Sequence, residues 1–239
     1  MTKEWSIKEP TISNITGKVY DINGKSYCRV TNTLSIIAKN GLFGWYMAVG
    51  KKRAEKIIKD RQVLGTHVHS IFEKILKEEK YETANLNEEI KEDIKLFKIF
   101  KYNTELEPEG LEQRLWNDEY GYAGTADFIG KYSTWKPYCV RGHDRGFKNS
   151  RVILDWKTSR DIYDDYWLQL AAYVYAFWKL TGIKLDGGAI AQFRNGQIKV
   201  KERTWDELMD YFEIYKSALK IYKWKYHLEQ DYNGKEKVL

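Results

Sequence analysis

The chain has 239 residues, of which 43% are hydrophobic and 31% are charged, an ordinary composition for a globular protein. No run of about 18 apolar residues occurs, which excludes a predicted membrane span, and two cysteines are too few for a disulfide framework or a four-cysteine metal site. The net charge of +6 and the aromatic content of 15% fit a nucleic-acid partner, because phosphates attract Lys and Arg while bases stack on aromatic rings.

The N-terminal sequence MTKEWSIKEP contains no apolar segment of the kind that marks a secretory signal. Together with the low cysteine count, this predicts an intracellular protein. The expected location is the cytoplasm, or the cytoplasm of the host if the source is a virus.

Residues 17–105 are predicted to form a β-hairpin followed by helices. The hairpin turn is predicted at Asn23 and Gly24, the residue pair most typical of a two-residue β-turn. A short helix is expected next, with Thr31 or Thr33 as its N-terminal cap. Apolar residues at helical spacing then predict longer helices over 42–60, 65–79 and 86–103.

Residues 106–204 have the pattern of a small mixed sheet with one crossover helix. Strands are predicted over 111–117, 122–130 and 151–156, and the last two are separated by a basic insertion, 131–150, that is rich in turn formers. The crossover helix is predicted over 166–182, and a second hairpin turns at 194–196.

A long C-terminal helix is predicted to begin at Trp205, within a last segment of 205–239. No repeat or low-complexity linker divides the chain. We therefore expect a single α/β domain over 1–239, in which an N-terminal helical layer covers a mixed sheet.

Two charged side chains lie at the end of the third predicted strand, in the sequence VILDWKTS (152–159). Asp155 and Lys157 are two positions apart and therefore project from the same face of the strand, with Trp156 on the other face. A surface ion pair would contribute only about 0–1 kcal/mol, so stability gives little reason for a pair at this position. A functional role is the alternative.

The preceding strand supplies a second carboxylate, that of Asp127. If the two strands are adjacent, Asp127 and Asp155 converge, and two carboxylates with water form an oxygen-rich site that suits Mg²⁺ or Mn²⁺. Such an ion would neutralise a phosphate under attack. Lys157 could then hold the attacking water or stabilise the charge that develops on the phosphoryl oxygens.

Four short motifs follow one another along the chain: GTHVH (65–69), GTAD (124–127), ILDWKTS (153–159) and QLAAY (169–173). Together they resemble the PD-(D/E)XK nuclease superfamily, and within it the RecB-like exonuclease branch. The similarity extends upstream to about Val30, where the sequence resembles the phage and mitochondrial single-strand DNA exonucleases of that branch. The resemblance implies a restriction-endonuclease-like core.

The resemblance also implies a role for each motif residue. Asp127 and Asp155 would be metal ligands, and His69 would add a nitrogen ligand. Lys157 would be the catalytic lysine. The main-chain carbonyl of Trp156 commonly joins the metal shell in this family. On its own, a histidine such as His69 beside apolar neighbours is also compatible with a hydrogen-bonded core residue.

Further candidates are less specific to the family. Glu112 matches an acidic position one strand earlier and would orient a water or bind a second ion, although it also fits an ordinary strand. Gln169 and Tyr173 lie four apart on one helical face and would contact the substrate or groups around the site, or simply be residues of the crossover helix. The basic residues of the insertion would suit phosphate contacts beside the site or solvate a loop; they include Arg141, Arg145 and Lys148.

Two features depart from the family pattern. The separation between Asp127 and Asp155 is longer than usual because of the insertion, and the cysteines that hold an iron–sulfur cluster in several relatives are missing. The expected activity is that of a DNA exonuclease with Mg²⁺ or Mn²⁺ that acts on single-stranded ends in replication, recombination or repair, with recombination or replication proteins as possible partners. The alternatives are a structure-specific or restriction-like endonuclease, and a non-catalytic nucleic-acid-binding accessory protein with a decayed site.

Overall fold

Eight strands form one mixed sheet in the computed structural model, which describes residues 5–8, 10–15, 19–37, 40–83, 86–135, 146–194 and 196–228, with 12–15 and 40–43 described by their backbone only. The strands are β1 (Ile12–Ile15), β2 (Val19–Ile22), β3 (Lys25–Arg29), β4 (Glu107–Asn117), β5 (Tyr122–Tyr132), β6 (Ser150–Lys157), β7 (Gly187–Arg194) and β8 (Gln197–Thr204). The helices are α1 (Val30–Thr33), α2 (Asn40–Val49), α3 (Lys51–Leu76), α4 (Glu88–Asn103), α5 (Asp164–Thr181) and α6 (Trp205–Lys225), with a 3₁₀ turn at Leu34–Ile36.

Strand pairing along one edge of β5 is interrupted between residues 123 and 128. β4 pairs antiparallel with β5 over its length, so β3 and β6 must both pair with the opposite edge. β3 runs parallel to β5 as far as Ala123, and β6 runs antiparallel to it from Tyr132 to Phe128. The carboxyl ends of β3 and β6 therefore point towards each other across residues 124–127 of β5, a stretch that we call the sheet gap.

Helices cover both faces of the sheet, and β6 shows how the sequence divides its side chains between them. Ile153 packs in the core beneath α5 and α6, whereas its neighbours Val152 and Leu154 pack beneath α3 and α4. The second core includes a stacked pair, Phe72 and Phe97, whose ring centroids are 3.8 Å apart. The predicted α/β fold, a mixed sheet flanked by helices with an N-terminal helical layer, is confirmed.

The sheet is larger than the small one predicted, because the N-terminal hairpin joins it through β3 and β5. The hairpin turn itself lies at Asn23 and Gly24, as predicted, and both residues have a positive φ, 53° and 78°. Among the described residues, no helix combines the length and the apolar composition needed to cross a membrane.

The N-terminal helices differ from the prediction in their boundaries. α2 ends at Val49 because Gly50 has a φ of 85°, and α3 then continues through Gly65 to Leu76, so the predicted break at 61–64 is wrong. Nothing in 61–64 interrupts a helix, and one glycine inside it costs only about 1 kcal/mol. The expected threonine cap is also wrong, since α1 begins at Val30 with no side-chain cap.

Candidate active site

Asp155 and Lys157 lie at the carboxyl end of β6 and form a buried ion pair. Lys157 Nζ is 2.5 Å from Asp155 Oδ2, and the two side chains are only 16% and 3% exposed. A surface ion pair, the alternative that the sequence left open, is therefore wrong for these residues. Burying two charges costs hydration free energy that their attraction need not repay, so a buried pair at the end of a strand is a better sign of function than of stability.

Asp127 stands at the sheet gap and connects three elements. Its Oδ2 accepts a hydrogen bond from the main-chain N–H of Trp156 at 2.9 Å, and its Oδ1 is 3.4 Å from His69 Nδ1 on α3. The Asp127 carboxylate thus takes the place of a β5 backbone group opposite Trp156. Because the N–H and C=O of one extended residue point to the same side of a strand, the carbonyl of Trp156 also faces the gap.

His69 lies on α3, one residue after Val68. Val68 is fully buried in the core beneath α3, while His69 is partly buried and directed towards the sheet, and His67 is exposed. Among the described residues, one group of possible metal ligands has all its ligand atoms within 4.8 Å of one another, and it consists of His69, Glu112 and Asp127.

Glu112 is held in an unusual backbone conformation. It has a φ of 46° in the middle of β4, in the left-handed region that non-glycine residues rarely adopt. Such a conformation costs on the order of 1 kcal/mol and persists only where its surroundings enforce it, often at functional sites. Glu112 is thereby brought beside His69 and Asp127, so it lies nearer the centre of the site than the sequence indicated.

The carboxylates of Glu112, Asp127 and Asp155 lie close together, and their combined negative charge raises the pKa values of neighbouring groups. Loss of hydration, followed by the charge of Asp127, raises the pKa of the Glu112 carboxyl to about 7, although Glu112 as a residue is exposed. Burial also raises the pKa of Asp155, against the lowering effect of Lys157. Burial disfavours the charged form of His69, but the carboxylate of Asp127 outweighs it, so the pKa of His69 is raised. A bound cation would relieve this crowding.

Gln169, on α5, contacts both members of the ion pair through one amide group. Its Oε1 accepts from Lys157 Nζ at 3.2 Å, and its Nε2 donates to Asp155 Oδ1 at 3.2 Å. The same Nε2 lies 3.2 Å from the hydroxyl of Tyr173, one turn further along the helix. The structure therefore places both polar residues of the QLAAY motif beside the charged pair, where they restrict its geometry.

Tyr173 fits under the sheet only because residue 124 has no side chain. A Cβ added to Gly124 would lie 2.5 Å from Tyr173 Cε1 and 2.9 Å from its hydroxyl. We predict that Gly124→Ala lowers the free energy of unfolding by about 1–3 kcal/mol, because the ring cannot move within a filled core. Chemical denaturation measures this change.

The matched control is Gly44→Ala in α2, where an added Cβ meets nothing within 4 Å. This change is expected to be neutral or to stabilise by about 0.5–1 kcal/mol, since alanine is the better helix former. A Gly124→Ala protein as stable as the wild type would contradict the close approach of Tyr173.

Three residues around Lys157 were missed by sequence reasoning. The ring of Tyr166 lies 4.5 Å from Lys157 Nζ, and its position three residues before Gln169 on the same helix was an available signal. Gln192 and Arg194, on β7, donate to the carbonyls of Ser159 and Thr158 at 2.6 and 3.3 Å and so hold the loop that follows Lys157. The sequence offered a signal for Gln192, as the one polar side chain in the apolar run GGAIAQF, but none for Arg194.

The basic insertion does not lie beside the site as far as the structure describes it. Lys148 is exposed and lies two residues before β6, whose first residue, Ser150, is about 17 Å from Asp155 at the usual rise of a strand. Arg151 bonds the carboxylate of Glu109 there. The placement expected for Lys148 is therefore wrong, and Arg141 and Arg145 lie outside the described residues.

Comparison with known proteins adds no assignment. No protein-family model matches the sequence, and no curated protein matches it. Among solved structures, one described as "Crystal structure of SSO0001" aligns with a TM-score of 0.38 and 14% identity, over 85% of this chain and 76% of that chain. A likeness this weak identifies neither a family nor an activity.

Proposed function

We propose that the protein is a metal-dependent DNA exonuclease of the RecB-like branch of the PD-(D/E)XK superfamily, acting in replication, recombination or repair. One observation carries the proposal: Asp127 of the GTAD motif and the Asp155–Lys157 pair of the ILDWKTS motif converge at the sheet gap with His69 of the GTHVH motif. Hydrolysis of a phosphodiester requires positive charge and a positioned water above all. Lys157 supplies one positive charge, and a cation held by the carboxylates would supply more and position the water.

The donor atoms at the gap fit a divalent cation. Asp127 and Asp155 offer carboxylate oxygens, the carbonyl of Trp156 faces the same side, and His69 offers an imidazole nitrogen. Oxygen ligands suit Mg²⁺ and Mn²⁺, and an imidazole favours Mn²⁺ of the two. Glu112 lies close enough to share such an ion or to accept a hydrogen bond from its water. When bound, the ion would supply charge that neutralises the phosphate and acidifies water.

Three side chains of the protein would have separate roles in hydrolysis. Lys157 would donate from its ammonium to a phosphoryl oxygen or to the attacking water, since one of its three N–H groups remains beyond the two that reach Asp155 and Gln169. Gln169 would hold the side chains of Lys157 and Asp155 in fixed positions during the reaction. Asp127 would hold both the imidazole of His69 and the carboxyl end of β6 in place.

Substrate preference rests on the family resemblance, which favours single-stranded DNA ends. The test is a digestion, with Mn²⁺ or Mg²⁺, of the same single-stranded DNA in end-labelled linear form and in closed circular form. An exonuclease releases label progressively from the linear form and leaves the circle intact. Cleavage of the circle would identify an endonuclease instead. Binding of both forms without cleavage under either metal would favour a non-catalytic accessory protein.

A further inference from the structure

Arg29 is the last residue of β3 and therefore lies at the edge of the sheet gap opposite the ion pair. β3 pairs Arg29 with Ala123, the residue that immediately precedes the gap. From Ala123 to Asp127 along β5 is about 13 Å at the usual rise of a strand. The carboxyl end of β6, with Asp155 and Lys157, approaches the gap from the other direction, so the two strand ends enclose it.

The guanidinium of Arg29 is held in position but is not neutralised. It lies over the ring of Tyr20 at 4.7 Å, and its Nη2 donates to the Tyr20 hydroxyl at 3.3 Å. Its Nε is buried and meets no acceptor among the described residues, and no described carboxylate forms an ion pair with it. A buried donor without an acceptor is costly, and this one is consistent with an acceptor supplied by a ligand.

The residue that holds Arg29, Tyr20, is close enough to Tyr173 for an electrostatic interaction across the gap. The pKa of Tyr173 is raised mainly by burial and by Asp155, with a smaller contribution from Tyr20. Tyr173 in turn meets Gln169, which contacts Lys157. Polar groups are therefore present at both ends of the gap, as binding of an extended polar ligand requires.

We propose that Arg29 binds a backbone phosphate of the substrate strand, a few nucleotides away from the phosphate that reacts at Lys157. The inference rests on the proposed function for the identity of the ligand. The planar guanidinium suits the oxygens of a phosphate, which it can contact through two N–H groups, and its stacking on Tyr20 reduces the entropy lost on binding. A strand that carries one charge per nucleotide can present phosphates to both ends of a gap of this length.

The test measures binding without cleavage. A 5′-fluorescein-labelled single-stranded oligonucleotide is titrated with protein in EDTA at several NaCl concentrations, and fluorescence anisotropy gives Kd. We expect Arg29→Gln to weaken binding about tenfold and to reduce the slope of log affinity against log salt by about 0.7, the value for one phosphate contact on single-stranded DNA. Arg29→Lys, which keeps the charge, is expected to retain the slope and to lose about threefold in affinity.

The control is Lys184→Gln, an exposed residue just before β7, which begins beside Val152 at the end of β6 opposite the ion pair. It removes one positive charge away from the gap and is expected to leave the slope unchanged. Thermal unfolding checks that each variant is folded; if Arg29→Gln is not, the comparison rests on Arg29→Lys. Wild-type affinity in Arg29→Gln, or in Arg29→Lys where only that variant folds, would overturn the proposal.

The cleavage assay separates this site from the proposed function. With metal present, Arg29→Gln is expected to raise KM for the oligonucleotide about tenfold with a much smaller change in kcat, whereas loss of Lys157 acts on kcat. A wild-type protein that cleaves nothing but shows the Arg29 effect in EDTA would refute the nuclease and leave the phosphate site standing. DNA cleavage by the wild type, with no change of affinity or KM in Arg29→Gln, would support the nuclease and refute the phosphate site at Arg29.

Discussion

Lys157→Ala is expected to reduce the rate of DNA hydrolysis by about 10³-fold or more while the protein still binds DNA. The ammonium is the one cation within hydrogen-bonding reach of Asp155 among the described residues, and α5 holds it there through Gln169. Removing a preorganised donor from a buried site costs the transition state much more than the ground state. The rate of label release from linear DNA under saturating Mn²⁺ measures the effect.

Lys157→Ala also leaves the Asp155 carboxylate buried without its partner, which is expected to lower stability by about 3–5 kcal/mol. Lys157→Gln, which can still donate a hydrogen bond, provides a second variant, and circular dichroism confirms that each is folded at the assay temperature. The matched control is Lys199→Ala, because Lys199 and Asp161 form a similar pair that is about half exposed. Equal cleavage by Lys157→Ala and the wild type would refute the mechanism.

Asp127→Asn is expected to weaken metal binding severely and to abolish hydrolysis. The amide can still accept the hydrogen bond of the Trp156 N–H, so the carboxyl end of β6 keeps its position, but the negative charge beside His69 is lost. We expect the affinity for Mn²⁺ to fall at least about 100-fold, since even outer partners of metal ligands contribute about 10–100-fold. Isothermal titration calorimetry with Mn²⁺, without DNA, measures this change.

Asp161→Asn is the control for Asp127→Asn, because Asp161 is an exposed aspartate close to the site in sequence. It is expected to bind Mn²⁺ as the wild type does. Retention of Mn²⁺ affinity in Asp127→Asn would show that the ion, if one binds, is held elsewhere, and the role assigned to Asp127 would then be wrong.

Much of the fold could be predicted because its signals are local. The alternation of VILDWK predicted that Asp155 and Lys157 share one face, and Asn23-Gly24 predicted a hairpin, each from a few adjacent residues. Helix boundaries depended on single residues: the break at Gly50 and the continuity through Gly65 are not distinguished by composition, since both are glycines. Only the backbone conformation, a positive φ at Gly50, separates them.

The parts of the site that could not be predicted depend on contacts between distant segments. The sheet gap arises because β3 and β6 pair with the same edge of β5, and no local sequence pattern predicts which edge a strand pairs with. The left-handed conformation of Glu112 and the unpaired donor of Arg29 likewise follow from tertiary structure. Lys148 was misplaced for the same reason, since proximity to β6 in sequence does not say which end of the strand a residue adjoins.

A divalent ion is expected to bind at the sheet gap between Asp127 and Asp155. Crystals of the wild-type protein soaked in millimolar Mn²⁺, with anomalous diffraction data, test it most directly. We expect an anomalous peak about 2.0–2.4 Å from carboxylate oxygens of both Asp127 and Asp155, with His69 and the carbonyl of Trp156 on the same ion. Ordered, accessible side chains at the gap with no peak between the two aspartates would contradict it.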